Sequence, residues 1–208
     1  MWLYGFAKFL VRLSFGTVYR IKVEGLENVP PEGGAIVCGN HFDGRDPLIV
    51  GITMPRPISF MAKQELFKNK LLAWVLQGIG VFPVKRGQPD RAALKHSIEV
   101  LQSGACFGIF PEGTRHKTGR LGKAEPGTAY LALKSGAPVI PVGITSGYKL
   151  FGPIIVKYGR AVDLDQFRNA KLSSEALDAA SNAIMAGIGS QLVPPVTYVA
   201  AASDEPPE

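Results

Sequence analysis

The chain has 208 residues, a length that points to one compact domain with a sizeable core. With 46% hydrophobic and 19% charged residues it is too apolar for a disordered or fibrous protein. Lys and Arg number 23 against 17 Asp and Glu, a net +6, which favours an anionic partner: nucleic acid, a phosphorylated small molecule, an acidic protein or an anionic membrane. Residues 1–171 hold all 23 basic side chains and only 12 of the 17 acidic ones, so they carry +11. Two cysteines, Cys38 and Cys106, cannot form a disulfide framework and suit a reduced compartment.

Residues 1–20 begin the chain with large apolar side chains. At 100° per residue, Trp2, Leu3, Phe6, Phe9, Leu10 and Leu13 fall within one arc of ~120°, with Lys8 and Arg12 opposite. Two interior cations argue against a membrane span, and no cleavage-site pattern marks a secretory signal. Residues 1–18 read as an amphipathic helix, lying in a membrane interface with its cations at headgroups or packed on the core.

Next come a strand in VYRIKVEG, a turn at NVPPEGG and a short buried strand in GAIVCGNH. Asp46-Pro47 reads as an N-cap followed by proline at the first helical position. PISFMAK reads as a strand, Gln64 to Gln77 as a helix, VFPV as a strand and Pro89 to Gln102 as a helix closed by Gly104. ACFGIF is a further buried strand, followed by the loop PEGTRHKTGRLGKAE. Pro126 to Ser135 has proline at its start and Gly136 at its end. VIPVGI and IIVKYG are strands, Ser173 to Leu192 is a last helix, and residues 194–208 form an acidic tail expected to fray. This alternation predicts a single α/β domain over residues 19–193, with a mixed, largely parallel sheet flanked by helices.

Two loops carry the chemistry. His41 and Asp46 stand five apart, about 140° on a helix, so they meet only if the chain turns, and Gly44 makes that turn cheap. A carboxylate on one imidazole nitrogen sets the tautomer and makes the other a better base, enough to activate a hydroxyl. The plain alternatives are a hydrogen-bonded loop histidine and a capping aspartate. The loop Pro111-Glu112-Gly113-Thr114-Arg115 combines glycine, a hydroxyl and a guanidinium, a set suited to phosphate. Lys63 and the pair Lys85-Arg86 likewise leave strand ends, where open α/β sheets place ligands.

NHFDGRD, KQELF with GIGVFPVKRG, FPEGTR and VIPVGI together resemble, in order and spacing, the four motif blocks of the glycerolipid acyltransferases, the PlsC-like family. They cover roughly residues 35–145. The resemblance implies His41 as general base oriented by Asp46, with Asn40 preceding the dyad. It implies Lys63, Arg86 and Arg115 on a substrate phosphate, with Glu112, Gly113 and Thr114 shaping that pocket. Val139, Ile140, Pro141 and Val142 would line or support the acyl tunnel. It further implies lysophosphatidic acid as acceptor, acyl-ACP or acyl-CoA as donor, no cofactor or metal, and a peripheral or monotopic seat on the cytoplasmic face of an anionic membrane. Asp43 departs from the family, standing where serine is frequent. Glycerol 3-phosphate or a lysophospholipid could replace the acceptor under the same chemistry. A non-catalytic lipid-binding protein would explain the first helix and basic loops but not the His-Asp pair. Nucleic acid matches the charge alone, without a recognition helix or zinc-finger spacing. Cys38 and Cys106 read as buried packing, His96 as a surface residue and His116 as a residue of the pocket rim.

Overall fold

The computed structural model describes residues 2–85, 90–116, 121–168 and 172–198. Among these, seven strands form one sheet: β1 (Arg20–Glu24), β2 (Ala35–Gly39), β3 (Ile58–Lys63), β4 (Val81–Val84), β5 (Cys106–Ile109), β6 (Val139–Ser146) and β7 (Pro153–Tyr158). Their order is β1-β7-β6-β2-β5-β3-β4. Every neighbouring pair is parallel except β6 with β7. The exception follows from length, because residues 147–152 are too few for the crossover that a parallel neighbour needs.

The helices are α1 (Trp2–Val18), α2 (Asp46–Thr53), α3 (Lys70–Gly78), α4 (Arg91–Gln102), α5 (Pro126–Ser135), the short α6 (Asp165–Arg168) and α7 (Ser174–Gln191). Strand alternation feeds two cores. Val37, Ile140, Val142 and Ile144 pack with Ile49, Val50 and Ile52 of α2 and with Val11 and Phe15 of α1. Ile36, Cys38 and Val139 face the other way, onto Leu101 of α4, Leu131 of α5, and Ile184 and Ile188 of α7. Each such aliphatic side chain contributes roughly 1.5–3 kcal/mol by leaving water. The α/β sheet flanked by helices is therefore as expected.

Several local expectations are corrected. The helix expected over Gln64 to Gln77 is divided into a 3-10 turn, Gln64–Lys68, and α3, because Asn69 takes an extended backbone and its side chain accepts the N–H groups of Leu71 and Leu72. Helix α4 begins at Arg91, capped by Asp90, whose carboxylate accepts Ala93 N–H; Pro89 lies outside the described residues. Ser173 does cap α7, accepting from Ala176. Of the tail expected to fray, residues 199–208 lie outside the described residues; before them, Val196 N–H donates to Gly189 O at 2.9 Å and Tyr198 packs on the second core.

Helix α1 corrects the picture of its faces. Trp2, Phe6, Phe9, Leu10 and Leu13 are exposed, and the side bearing Lys8 is turned toward the protein. Lys8 Nζ donates to Met54 O at 2.6 Å, closing the C-terminal end of α2 rather than reaching outward. Among the described residues no helix is long and apolar enough to cross a membrane.

Candidate active site

Strands β2, β5, β3 and β4 run parallel, so the chain leaves all four at the same edge of the sheet. Beyond β2, Asn40 is fully buried and its amide pairs with both backbone groups of Ile144: Nδ2 donates to the carbonyl at 2.9 Å and Oδ1 accepts the N–H at 2.7 Å. Asn40 thus extends the β2–β6 ladder by a side chain and fixes where His41 starts.

His41 is 7% exposed. Its Nδ1 lies 3.1 Å from Asp46 Oδ2, so the loop makes the turn that Gly44 permits. Asp46 is at the first position of α2, whose N-cap is Arg45, which corrects the capping expectation. Its carboxylate turns back instead: Oδ2 also accepts the N–H groups of Phe42 at 2.8 Å and Asp43 at 2.7 Å. Three contacts on one oxygen fix the Asp46 carboxyl group in a 1% exposed position. The imidazole is stacked on Phe110, with centroids 4.4 Å apart and planes 24° from parallel. Nε2 takes no hydrogen bond from any described residue.

Glu112 is buried, and it does not reach outward as a wall of a phosphate pocket. Its Oε1 accepts His41 N–H at 2.8 Å and its Oε2 accepts Gly122 N–H at 2.7 Å. His116 N–H donates to His41 O at 2.9 Å. The loop after β5 is thereby clamped to the backbone of His41. Gly113, at φ +64°, turns that loop where a side chain would be strained and would meet Glu125.

The acyltransferase family model matches residues 20–145. The chain belongs to the acyltransferase family. It is 36% identical over 135 residues to the 1-acyl-sn-glycerol-3-phosphate acyltransferase of Bacillus subtilis, covering 63% of this chain and 67% of that one. A chloroplastic 1-acyl-sn-glycerol-3-phosphate acyltransferase of Arabidopsis thaliana is 33% identical over 147 residues, covering 69% of this chain but 41% of the relative. The chain thus spans less than half of some curated relatives. The crystal structure of the 1-acyl-sn-glycerophosphate acyltransferase PlsC from Thermotoga maritima superposes with a TM-score of 0.72 at 26% identity, covering 89% of this chain and 78% of that one.

Within this family member the basic side chains are distributed along the edge. Arg115 is exposed and its Nη1 passes so close to Gly44 that a Cβ there would sit 3.3 Å away. Thr114 is exposed beside it. Lys63, also exposed, is level with Asn40 two strands away, ~10 Å at the usual strand spacing. Arg86 lies outside the described residues. Val139, Ile140, Pro141 and Val142 are buried within β6, so they brace the sheet beneath the site rather than line an open tunnel. A mostly apolar cleft of about 510 Å3 lies instead beside Phe42, walled by Gly147, Gly152, Ile155, Leu192 and Val196.

Cys38 and Cys106 are wholly buried and burial pushes both thiols up, so they pack as small hydrophobes. His96 rests its ring edge on Phe82 and points Nδ1 at Glu99, 3.4 Å away. Asp43 is consumed by Arg45, whose Nε and Nη2 donate to its two oxygens at 2.7 and 2.8 Å. Those hydrogen bonds hold the Asp43 carboxyl down at about 2. Three residues at the site escaped the sequence reading: Phe110, Arg45 and Tyr148. Phe110 opens the FPEGTR block and was legible there. Tyr148, in the loop after β6, lies in no motif, yet its hydroxyl donates to Asp46 Oδ1 at 2.5 Å.

Proposed function

We propose that this acyltransferase moves a fatty acyl group from an acyl thioester, acyl-ACP or acyl-CoA, to the sn-2 hydroxyl of lysophosphatidic acid, giving phosphatidic acid. The observation that carries the reading is the His41–Asp46 contact of 3.1 Å, in a loop that anchors both residues by backbone hydrogen bonds. With Nδ1–H donated to Asp46, Nε2 is the basic nitrogen. It takes the hydroxyl proton as the oxygen attacks the thioester carbonyl. A C–O bond forms, the C–S bond breaks, and the departing thiolate recovers the proton. Arg115 and Lys63, with Arg86, supply cations for the acceptor phosphate. The names of the relatives and of the Thermotoga structure support this acceptor.

The acceptor is an amphiphile, and the surface suits a peripheral seat on an anionic bilayer. Beside α1, helix α3 leaves Leu71 72% and Trp74 56% exposed, flanked by exposed Lys68 and Lys70. The two helices touch where Leu3 packs over Gly78. Aromatic and aliphatic side chains interleaved with cations match an interfacial surface.

Thiol release on mixing the full chain with lysophosphatidic acid and an acyl thioester tests the assignment. The wild-type chain should release thiol, and His41→Ala should lower the rate by ~10³-fold, as loss of a general base does. Turnover at the wild-type rate in His41→Ala would remove the dyad. A wild-type chain that binds the lipid without releasing thiol would point to a non-catalytic lipid-binding protein.

A further inference from the structure

The mechanism above uses one oxygen of Asp46, and the other is also occupied. Oδ2 carries His41 Nδ1 and two backbone donors, whereas Oδ1 has a single described partner, the hydroxyl of Tyr148. That hydroxyl donates to the carboxylate oxygen, and burial and the neighbouring Asp46 charge push its ionisation far above the ordinary range. Two further observations show that Tyr148 is itself held. It is a non-glycine residue at φ +46°, a left-handed conformation that side chains rarely adopt, and its N–H is tied to Ser146 Oγ at 2.9 Å. Its ring also carries the Arg45 guanidinium at 4.2 Å from the centroid and meets Tyr19 edge-on at 5.9 Å. Arg45 is fixed in turn by the two Asp43 oxygens and by donating to Tyr19 Oη at 2.9 Å.

We infer that Tyr148 is a positioning residue of the catalytic dyad: its hydroxyl sets the rotation of the Asp46 carboxylate, and the Asp43–Arg45 pair clamps Tyr148 in place. This rests on His41 acting as the base. Without the fourth donor, the three bonds on Oδ2 still tether the carboxylate, but its plane is free to turn about that tether. The Oδ2 lone pair then no longer stays aligned with His41 Nδ1–H, and the imidazole loses the fixed tautomer that exposes a basic Nε2. Asp43, the departure from the family's common serine, gains a role here. It serves the dyad through Arg45 rather than by adding charge beside it. Among the described residues, the charged and titratable groups around the dyad are then Asp43 and Arg45 on its own loop, Glu112, Arg115 and His116 beyond β5, Tyr19 before β1, and Tyr148.

Tyr148→Phe removes the hydroxyl and keeps the ring that Arg45 and Tyr19 pack against. The expected result is a kcat about tenfold lower, with KM for acceptor and thioester within twofold of wild type. In the full chain without substrate, the His41 Nδ1 proton, hydrogen-bonded and downfield in the wild type, should exchange faster and broaden in proton NMR. Arg45→Gln should produce the same broadening more weakly, and it supplies the test should Tyr148→Phe fail to fold. An unchanged kcat, a loss confined to KM, or a lowered kcat with the Nδ1 proton signal intact would each overturn the inference. The NMR readout needs no turnover, so it separates this failure from that of the base assignment, which His41→Ala decides.

Discussion

Replacing Glu112 by glutamine isolates the clamp that joins the two motif loops. The carboxylate is fully buried and receives two backbone donors, His41 N–H at 2.8 Å and Gly122 N–H at 2.7 Å. Hydrogen bonds to a charged partner are worth about 1.5–3 kcal/mol, and an orphaned buried donor costs about 1–3 kcal/mol. Glutamine keeps one acceptor oxygen and turns an NH2 toward the other donor. One bond is lost and one N–H is left facing another donor, for a destabilisation of about 3 kcal/mol. With a urea dependence of roughly 2 kcal/mol per molar, the unfolding midpoint should fall by about 1.5 M. A domain of this size has about 5–15 kcal/mol in hand, so the variant stays folded in buffer. Its acyl-transfer rate should nonetheless drop, because one of the two donors released is the backbone of His41, the proposed base. Urea unfolding followed by tryptophan fluorescence, alongside thiol release, reads both effects. A midpoint within 0.3 M of wild type, as about 0.5 kcal/mol would give, together with an unchanged rate would refute the clamp.

Two other outcomes follow from groups outside the dyad. The Asp43 carboxyl is held low by Arg45, so its stabilisation is complete above its unfolded value near pH 4 and is lost as pH falls toward about 2. Because the pair is partly exposed, that contribution is about 1 kcal/mol. The stability gap between wild type and Asp43→Asn should therefore be constant above pH 5 and shrink toward pH 2.5, and a gap independent of pH would contradict the ion pair. On α3, Leu71→Ser with Trp74→Ser should cut binding to anionic vesicles at least tenfold while leaving the melting temperature within about 2 °C, since both side chains are exposed. Unchanged vesicle sedimentation would place the lipid-facing surface elsewhere.

What could be read from the chain was what local chemistry determines. Helix α5 is bounded by Pro126 and by Gly136 at φ +70°, and both signals stand in the sequence. Strand β4 was legible because VFPV lies between glycine and the basic pair Lys85-Arg86. The division at Asn69 was also written, as a capping residue ahead of Lys70, but a run of leucines and aromatics masks it. The two sides of α1 were separable by periodicity, yet which side meets the protein depends on α2, whose Met54 carbonyl captures Lys8. The spacing and Gly44 allowed the His41–Asp46 pairing without deciding it, and the resemblance of NHFDGRD to the family motif implied it. Tyr148 was not legible, because it lies 102 residues from Asp46 and arrives through the register of β6 against β2. Glu112 was recognised as a site residue, but its direction was not, since only the packed loop shows that its oxygens face two backbone amides.

The sheet closes late. Edge strand β1 pairs with β7, and Asn28 Nδ2 donates to Tyr158 O across 130 residues. A ribosome adds about 5–20 residues per second, so roughly 7 to 26 s pass between the emergence of the first partner and that of the second. Throughout that interval β1 lacks its sheet partner, and the exposed apolar side chains of α1 precede it. Loop closure over such a span also makes this pairing slow. The order of synthesis therefore presents the outer face of α1 before the strand edge that carries His41 is complete.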